Sequence, residues 1–258
     1  MNFRRATLVW ILFLAGLMTI GAFAGLPSPL AQNRSLSLQP PIPGHLLGTD
    51  LLGRDILSRL FAGGRVSLAI ALAATLGMGL VGVAIGAISG YKGGLLDAFL
   101  MRVTELFASI PLILGTLLIM AIVGAGALNI VLALVAFGWP QVARVTRAGV
   151  LSIRRSGYVE AAWLMGASDR RVLVDHVVPN AASPVVAYLL SNIGSLIMAE
   201  SVLSFIGLGV PLPTPSWGNM LAEALKRWPQ APWAALFPGL AITIAVAGFV
   251  LTGAQGDD

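Results

Sequence analysis

The sequence predicts an all-α membrane protein with about six transmembrane helices. Three observations carry this reading. Hydrophobic residues make up 57% of the 258 positions and charged residues only 10%, the mean hydropathy is +0.88, and the apolar residues gather in runs long enough to cross a bilayer. A soluble domain holds roughly 45–50% apolar residues and needs polar ones to cover its outside; this chain has too few. Cysteine is absent, which excludes disulfides, thiolate metal sites and thiol catalysis.

A spanning helix takes about 20 mainly apolar residues. Such runs lie at 6–26, 66–90, 105–123, 127–145, 184–206 and 233–253. The first follows Arg4 and Arg5 and contains Ala22-Phe23-Ala24, the layout of a cleavable signal peptide. Its apolar stretch exceeds the usual h-region of about 7–15 residues, which favours an uncleaved span. The second carries Gly82, Gly86 and Gly90 on one helix face, where another backbone can approach closely; static packing and a sliding helix use the same geometry. The third begins at Glu105, beside Arg102 at the interface. The fifth contains Glu200, the one carboxylate well within an apolar run. A charge there is costly. It either faces a translocation path or is satisfied at the interface by water or by an arginine of the outer loops.

Basic residues orient these spans. With the N-terminus inside, the inner segments hold Arg4, Arg5, Lys92, Arg102, Arg144, Arg147, Arg154, Arg155, Arg170 and Arg171, ten in all. The outer segments hold six, Arg34, Arg54, Arg59, Arg65, Lys226 and Arg227. This bias puts both termini in the cytoplasm. The arginines cluster beside apolar spans, which speaks for membrane orientation and against nucleic-acid binding. The chain divides into a first span with its outer loop (1–65), a transmembrane domain (66–254) and a short cytoplasmic tail (255–258). Outer loops lie at 27–65 and 207–232, the latter with Trp217, Trp228 and Trp233 at positions suited to interfacial aromatics.

Several chemistries are excluded. The only lysines, Lys92 and Lys226, follow no GxxxxGK[ST] frame, so the chain has no phosphate loop of that kind. HExxH and GxSxG are absent, and His45 and His176 fall on opposite sides of the membrane, too far apart to share a metal. No catalytic residue, cofactor or metal site is expected.

Between the fourth and fifth spans lies YVEAAWLMGASDRRVLVDHVVPN, residues 158–180, unusually charged for this chain. Residues 158–167 read as a short helix that Gly166 ends or opens to close contact. A second helix over 169–178 starts at Asp169, which suits the helix dipole, and closes at Pro179. Two short helices with exposed apolar residues make a docking knob; the alternative is a pair of helices lying along the membrane surface.

The segment EAAWLMGASDRRVLVDHVVPN resembles the EAA motif of the permease subunits of bacterial ABC importers, with Glu160, Ala161, Ala162, Gly166 and Pro179 at the matching positions. HLLGTDLLGRDILSRLFAGGRVSL, SGYKGGLLDAFLMR and SFIGLGVPLPTPSWG are similar to the dipeptide, oligopeptide and nickel branch, specifically its C-type permease. Together the likeness spans about residues 44–249. It implies the type I ABC importer permease fold in the bacterial inner membrane. It also implies a second, B-type permease, two cytoplasmic ABC ATPases that hydrolyse the ATP, and an external solute-binding protein. In that family the EAA loop is the coupling helix, so Glu160, Ala161, Ala162 and Gly166 would contact the ATPase. Trp163 stands where relatives often carry a basic residue, and Ser156 near where they carry an acidic one. The ending AQGDD lacks their Arg-Asp-Pro type. The function implied is import of dipeptides or oligopeptides, with a nickel chelate as the alternative cargo. An ion-coupled secondary transporter is a further alternative, disfavoured by the scarcity of ionisable groups at mid-membrane.

Overall fold

The computed structural model describes residues 9–254 apart from 11, 15, 17, 18 and 20–24. The first expected span, 6–26, therefore lies largely outside the described residues. Where described, residues 9–19 are helical, and Trp10 Nε1 donates to the Ala245 carbonyl at 3.4 Å.

Among the described residues a short 3-10 turn (Arg34–Leu36) and eight longer helices follow: α1 (Ile56–Lys92), α2 (Gly94–Ala108), α3 (Leu112–Val123), α4 (Ala127–Ile153), α5 (Gly157–Leu164), α6 (Asp169–Phe205), α7 (Trp217–Leu225) and α8 (Pro232–Ala254). Four of them, α1, α4, α6 and α8, are long and apolar enough to cross a membrane, and α2 with α3 forms a fifth if the bent pair is one span. Leu76, Leu80, Leu118, Ile122, Leu128 and Leu132 stand exposed on their outside, as lipid-facing positions must be apolar.

Several boundaries depart from the sequence reading, among them the end of the fourth span, where α4 continues past 145 to Ile153. The second span starts ten residues before Val66, at Ile56, because Asp55 caps it: Asp55 Oδ2 accepts from the Ser58 amide at 2.7 Å. The third is not one straight run, since α2 and α3 meet at 79°. Pro111 lacks an amide and disfavours helical backbone at Ile110, which breaks the helix there. Finally, Pro179 does not close a separate helix. Residues Asp169–Phe205 run through it and through Pro184, with a wider π-type stretch, Val172–Val177, immediately upstream. That wider winding takes up the ring and the missing donor.

The core is built where α1, α4, α6 and α8 meet, from Ala71, Ala74, Met78, Ile130, Leu134, Ile193, Leu196, Ile197, Ala245 and Phe249. The α1–α4 contact is the most extensive between helices. A Cβ on Gly86 would lie 2.3 Å from the Ala143 carbonyl oxygen, and one on Gly82 would lie 2.4 Å from Val142 Cβ. One on Gly90 would lie 3.0 Å from the Arg147 carbonyl oxygen and from Val150 Cβ. Backbone approach of this kind replaces the hydrophobic effect as the packing force between helices in lipid.

Candidate functional site

Helix α5 projects from one end of the bundle. It ends in a Schellman arrangement: Gly166 N–H donates to the Trp163 carbonyl at 2.9 Å and Ala167 N–H to Ala162 at 3.1 Å. Gly166 itself has φ +86°, the left-handed conformation that glycine adopts at no steric cost. Within this chain nothing lies within 4 Å of a Cβ placed there, so glycine is needed for the turn and not for close packing.

The helix buries one face and shows the other. Val159 and Ala162 pack into a small apolar cluster with Ala87, Val150, Val172 and Val177. Tyr158, Glu160, Ala161, Trp163, Leu164 and Met165 are exposed, Leu164 by 89% and Met165 by 82%. The four EAA positions thus divide: Glu160, Ala161 and Gly166 lie on the free side, while Ala162 anchors the helix. Leu164 and Met165 thus form a small exposed apolar patch on an otherwise charged, solvated element. Arg155, Arg170 and Arg171 stand exposed around it.

Beneath the knob, polar contacts gather on the last turn of α1. Trp163 Nε1 donates to Tyr91 Oη at 3.2 Å, and Tyr91 Oη donates to Asp169 Oδ1 at 3.3 Å. Lys92 Nζ reaches Asp169 Oδ2 at 3.1 Å. Arg154 Nη1 donates to the Gly90 carbonyl at 2.8 Å. Nearby, Arg147 grips Asp97 with two bonds, Nε to Oδ1 at 2.7 Å and Nη2 to Oδ2 at 2.6 Å, and Ser89 Oγ donates to the same carboxylate. Two parallel charge-assisted bonds fix both distance and orientation, so α1, α2 and α4 are tied together at this end. The exposed Arg102–Glu105 pair, 3.1 Å apart, lies on α2.

Glu200 occupies a different region and is fully buried. Ser204 Oγ donates to its Oε1 at 2.7 Å and accepts from the Val210 amide at 3.1 Å. The hydroxyls of Ser67, Ser216 and Ser201 surround the same carboxyl, although Oε2 makes no well-formed bond with them. Ser67 Oγ accepts from the Trp217 amide at 3.4 Å and Ser216 Oγ from the Asn219 amide at 3.3 Å. No arginine approaches the carboxyl among the described residues. Serines from α1, α6 and the start of α7 therefore converge on one acid, holding the segment 207–216 down against the bundle.

The end of α1 remote from α5 carries a charged network that reading the sequence in spans missed. Arg54 and Arg59 are buried, with side chains 4% and 1% exposed. Both donate to Glu223 Oε2, at 2.9 and 3.0 Å, and both reach Asp50 Oδ2, at 2.6 and 3.4 Å. His45 Nδ1 lies 2.9 Å from Asp55 Oδ1. The spacing of four between Asp50 and Arg54 was the available signal; the partners of Arg59, Asp50 and Glu223, gave none. A cavity of about 560 Å³ opens beside this network, lined by Leu38, Ile56, Met220 and Ala234 as well as the charged groups. His45 and His176 sit on different elements, and among the described residues no three His, Asp or Glu side chains converge as a metal site would require.

Comparison with known proteins follows the same lines. The family model for a binding-protein-dependent transport system inner membrane component matches residues 82–255. The oligopeptide transport system permease protein OppC of Bacillus subtilis is 37% identical over 215 residues, covering 83% of this chain and 70% of that protein. The glutathione transport system permease protein GsiD of Pectobacterium atrosepticum is 39% identical, covering 83% of this chain and 71% of its own length. The dipeptide transport system permease protein DppC of Bacillus subtilis is 35% identical over 96% of this chain and 78% of its own. In fold, the chain is similar to a solved chain of the MetNI methionine ABC transporter in an inward-facing conformation. The TM-score is 0.60 at 19% identity, with 77% of this chain and 93% of that one covered. The apolar helices, the short projecting α5 and these likenesses agree, and the chain belongs to the binding-protein-dependent transport system inner membrane components, as a permease subunit of an ABC importer.

Proposed function

We propose that this chain is the C-type permease of an ATP-driven importer of short peptides, dipeptides or oligopeptides, in a bacterial inner membrane. The observation that carries the coupling half of this reading is α5, a helix whose inner face is buried and whose outer face shows Glu160, Ala161, Leu164 and Met165. Such a face is complementary to a cleft on another protein. The partners are a B-type permease completing the channel, two ABC ATPase subunits that receive α5, and an external binding protein that delivers the peptide. The chain hydrolyses no ATP itself. Peptide as cargo is supported by the names of the relatives, which carry oligopeptides, dipeptides and glutathione.

In this reading both termini and α5 face the cytoplasm, and the segments around Arg59 and Glu223 face outward. Closure of the ATPases displaces α5, and the packed helices switch between inward and outward openings as bodies. Glu200 meets the translocation path in the state in which segment 207–216 lifts from its serine shell. Gly82, Gly86 and Gly90 keep α1 and α4 in contact through the change.

The test is reconstitution of the two permeases, the ATPases and the binding protein in liposomes, with peptide uptake and ATP hydrolysis measured together. Uptake that requires ATP, and that Glu160→Lys or Gly166→Trp abolishes while the chain stays in the membrane, supports the proposal. Uptake by this chain alone, driven by an ion gradient, overturns it. Ligand-induced stabilisation of the binding protein by dipeptide, longer peptide or nickel chelate then reports the cargo.

A further inference from the structure

Helix α5 is joined covalently to α4 before it and α6 after it, but those are not its only links to the bundle. It also touches α1, a helix of 37 residues and hence about 55 Å long. The contact has an apolar part, Ala87 and Tyr91 within the cluster around Val159 and Ala162. Its polar part is one bond, Trp163 Nε1–H to Tyr91 Oη, and the same hydroxyl donates its own proton to Oδ1 of Asp169, the first residue of α6. The rings of Tyr91 and Trp163 meet at 6.2 Å between centroids and 55° between planes. The tyrosine hydroxyl is thus used both as acceptor and as donor, each to a different side of the 164–169 turn. Lys92, the next residue, holds the same aspartate.

What makes this more than a local clasp is the other end of α1. There Arg59 bonds Glu223 of α7, Trp217 Nε1 donates to the Leu60 carbonyl at 3.0 Å, and the Ser67 hydroxyl takes the Trp217 amide beside Glu200. The same helix therefore ends on the docking knob at one extremity and on α7 at the other, with no break or proline between them. An intact α-helix resists compression along its axis, so displacement at one end arrives at the other.

We propose that Tyr91 is a positioning residue through which displacement of α5 passes into α1, and that α1 carries it across the bundle to α7 and the segment that covers Glu200. This rests on the reading of α5 as the ATPase contact. Trp163 and Asp169 are the two arms of the relay, and Tyr91 is the point where they join α1. The test measures the coupling between the two ends directly.

In the reconstituted importer, with binding protein and peptide, the quantity read is peptide transported per ATP hydrolysed. Tyr91→Phe keeps the ring and removes both bonds; Trp163→Phe keeps a ring and removes one. Each is expected to lower the ratio about fivefold with the thermal midpoint of the assembly unmoved, and the double variant is expected to be no worse than either alone. An unchanged ratio in Tyr91→Phe, or losses that multiply in the double variant, overturns the proposal. Because the chain has no cysteine, Y91C/W163C supplies a second arm. Before cross-linking its ratio is low; a short bifunctional thiosulfonate that ties the two positions restores it. A purely structural contact would not be rescued in this way, and a cross-link that abolishes transport also overturns the proposal. If instead Glu160→Lys leaves uptake intact, the ATPase-contact reading has failed; Tyr91→Phe neutral beside an uncoupled Glu160→Lys defeats this inference alone.

Discussion

Arg59 near the start of α1 and Glu223 near the end of α7 are 164 residues apart in the chain, yet Nη2 of one lies 3.0 Å from Oε2 of the other. Asp50 and Arg54 complete the group, so two buried guanidinium groups are neutralised by two carboxylates, of which Glu223 keeps about a third of its surface open to water (32%). Burying charge is tolerated only in such a paired arrangement.

The first prediction follows from that pairing. Arg59→Met removes one of the two guanidinium partners of Asp50 and Glu223 and should cost about 1–2 kcal/mol, below the scale for a fully buried pair because Arg54 remains and Glu223 is partly solvated. Thermal unfolding of the purified chain or assembly measures it. Arg59→Met combined with Glu223→Gln should cost less than the sum of the two changes, since the second removes part of the charge that the first leaves stranded. Strict additivity would argue that the contact contributes nothing.

A graded series tests the α1–α4 contact. Gly86→Ala places a Cβ 2.3 Å from a backbone oxygen, whereas Gly90→Ala meets its nearest atoms at 3.0 Å. Backbone cannot rotate away as a side chain can, so Gly86→Ala should cost about 2–3 kcal/mol and Gly90→Ala about 1 kcal/mol or less. The order of the melting temperatures is the readout, and the reverse order would contradict the packing described.

Gly166 separates a backbone effect from a contact effect. With φ at +86° and open space around the Cβ position, Gly166→Ala should cost about 1 kcal/mol of local stability through the left-handed conformation alone. Gly166→Asn should cost less, because asparagine tolerates that conformation better. If Gly166→Asn keeps the helix but abolishes uptake, the position contacts the ATPase directly; a parallel loss of both would place its role in the turn.

Ser204 holds segment 207–216 through two bonds, one to Glu200 and one to the Val210 amide. Ser204→Ala removes both and leaves a buried acceptor and donor unpaired, a loss of about 2 kcal/mol. Hydrogen exchange at the amides of residues 207–216 should then quicken by at least tenfold relative to the rest of the bundle. Protection equal to that of the unaltered chain would show that the serine shell does not restrain the segment.

Hydropathy by itself located the apolar runs that became α1, α3, α4, α6 and α8, because a bilayer of fixed thickness makes spanning a local property of the chain. Local chemistry was equally legible at the end of α5, where a glycine at the right offset stops a helix whatever surrounds it. The sequence also determined the likeness to ABC importer permeases, since the EAA segment lies in one continuous stretch. What the tertiary structure alone decided was everything that joins distant stretches or depends on neighbours. Whether Pro179 ends a helix or merely distorts it depends on the packing of the turns upstream, and here a π-type stretch absorbs it while Pro111 produces a 79° bend. The shell around Glu200 draws serines from residues 67 to 216, and the partner of Arg59 is residue 223. No periodicity records such pairings, because a buried charge or hydroxyl is satisfied by whichever groups the fold brings within about 3 Å, and that choice is made only when the helices pack.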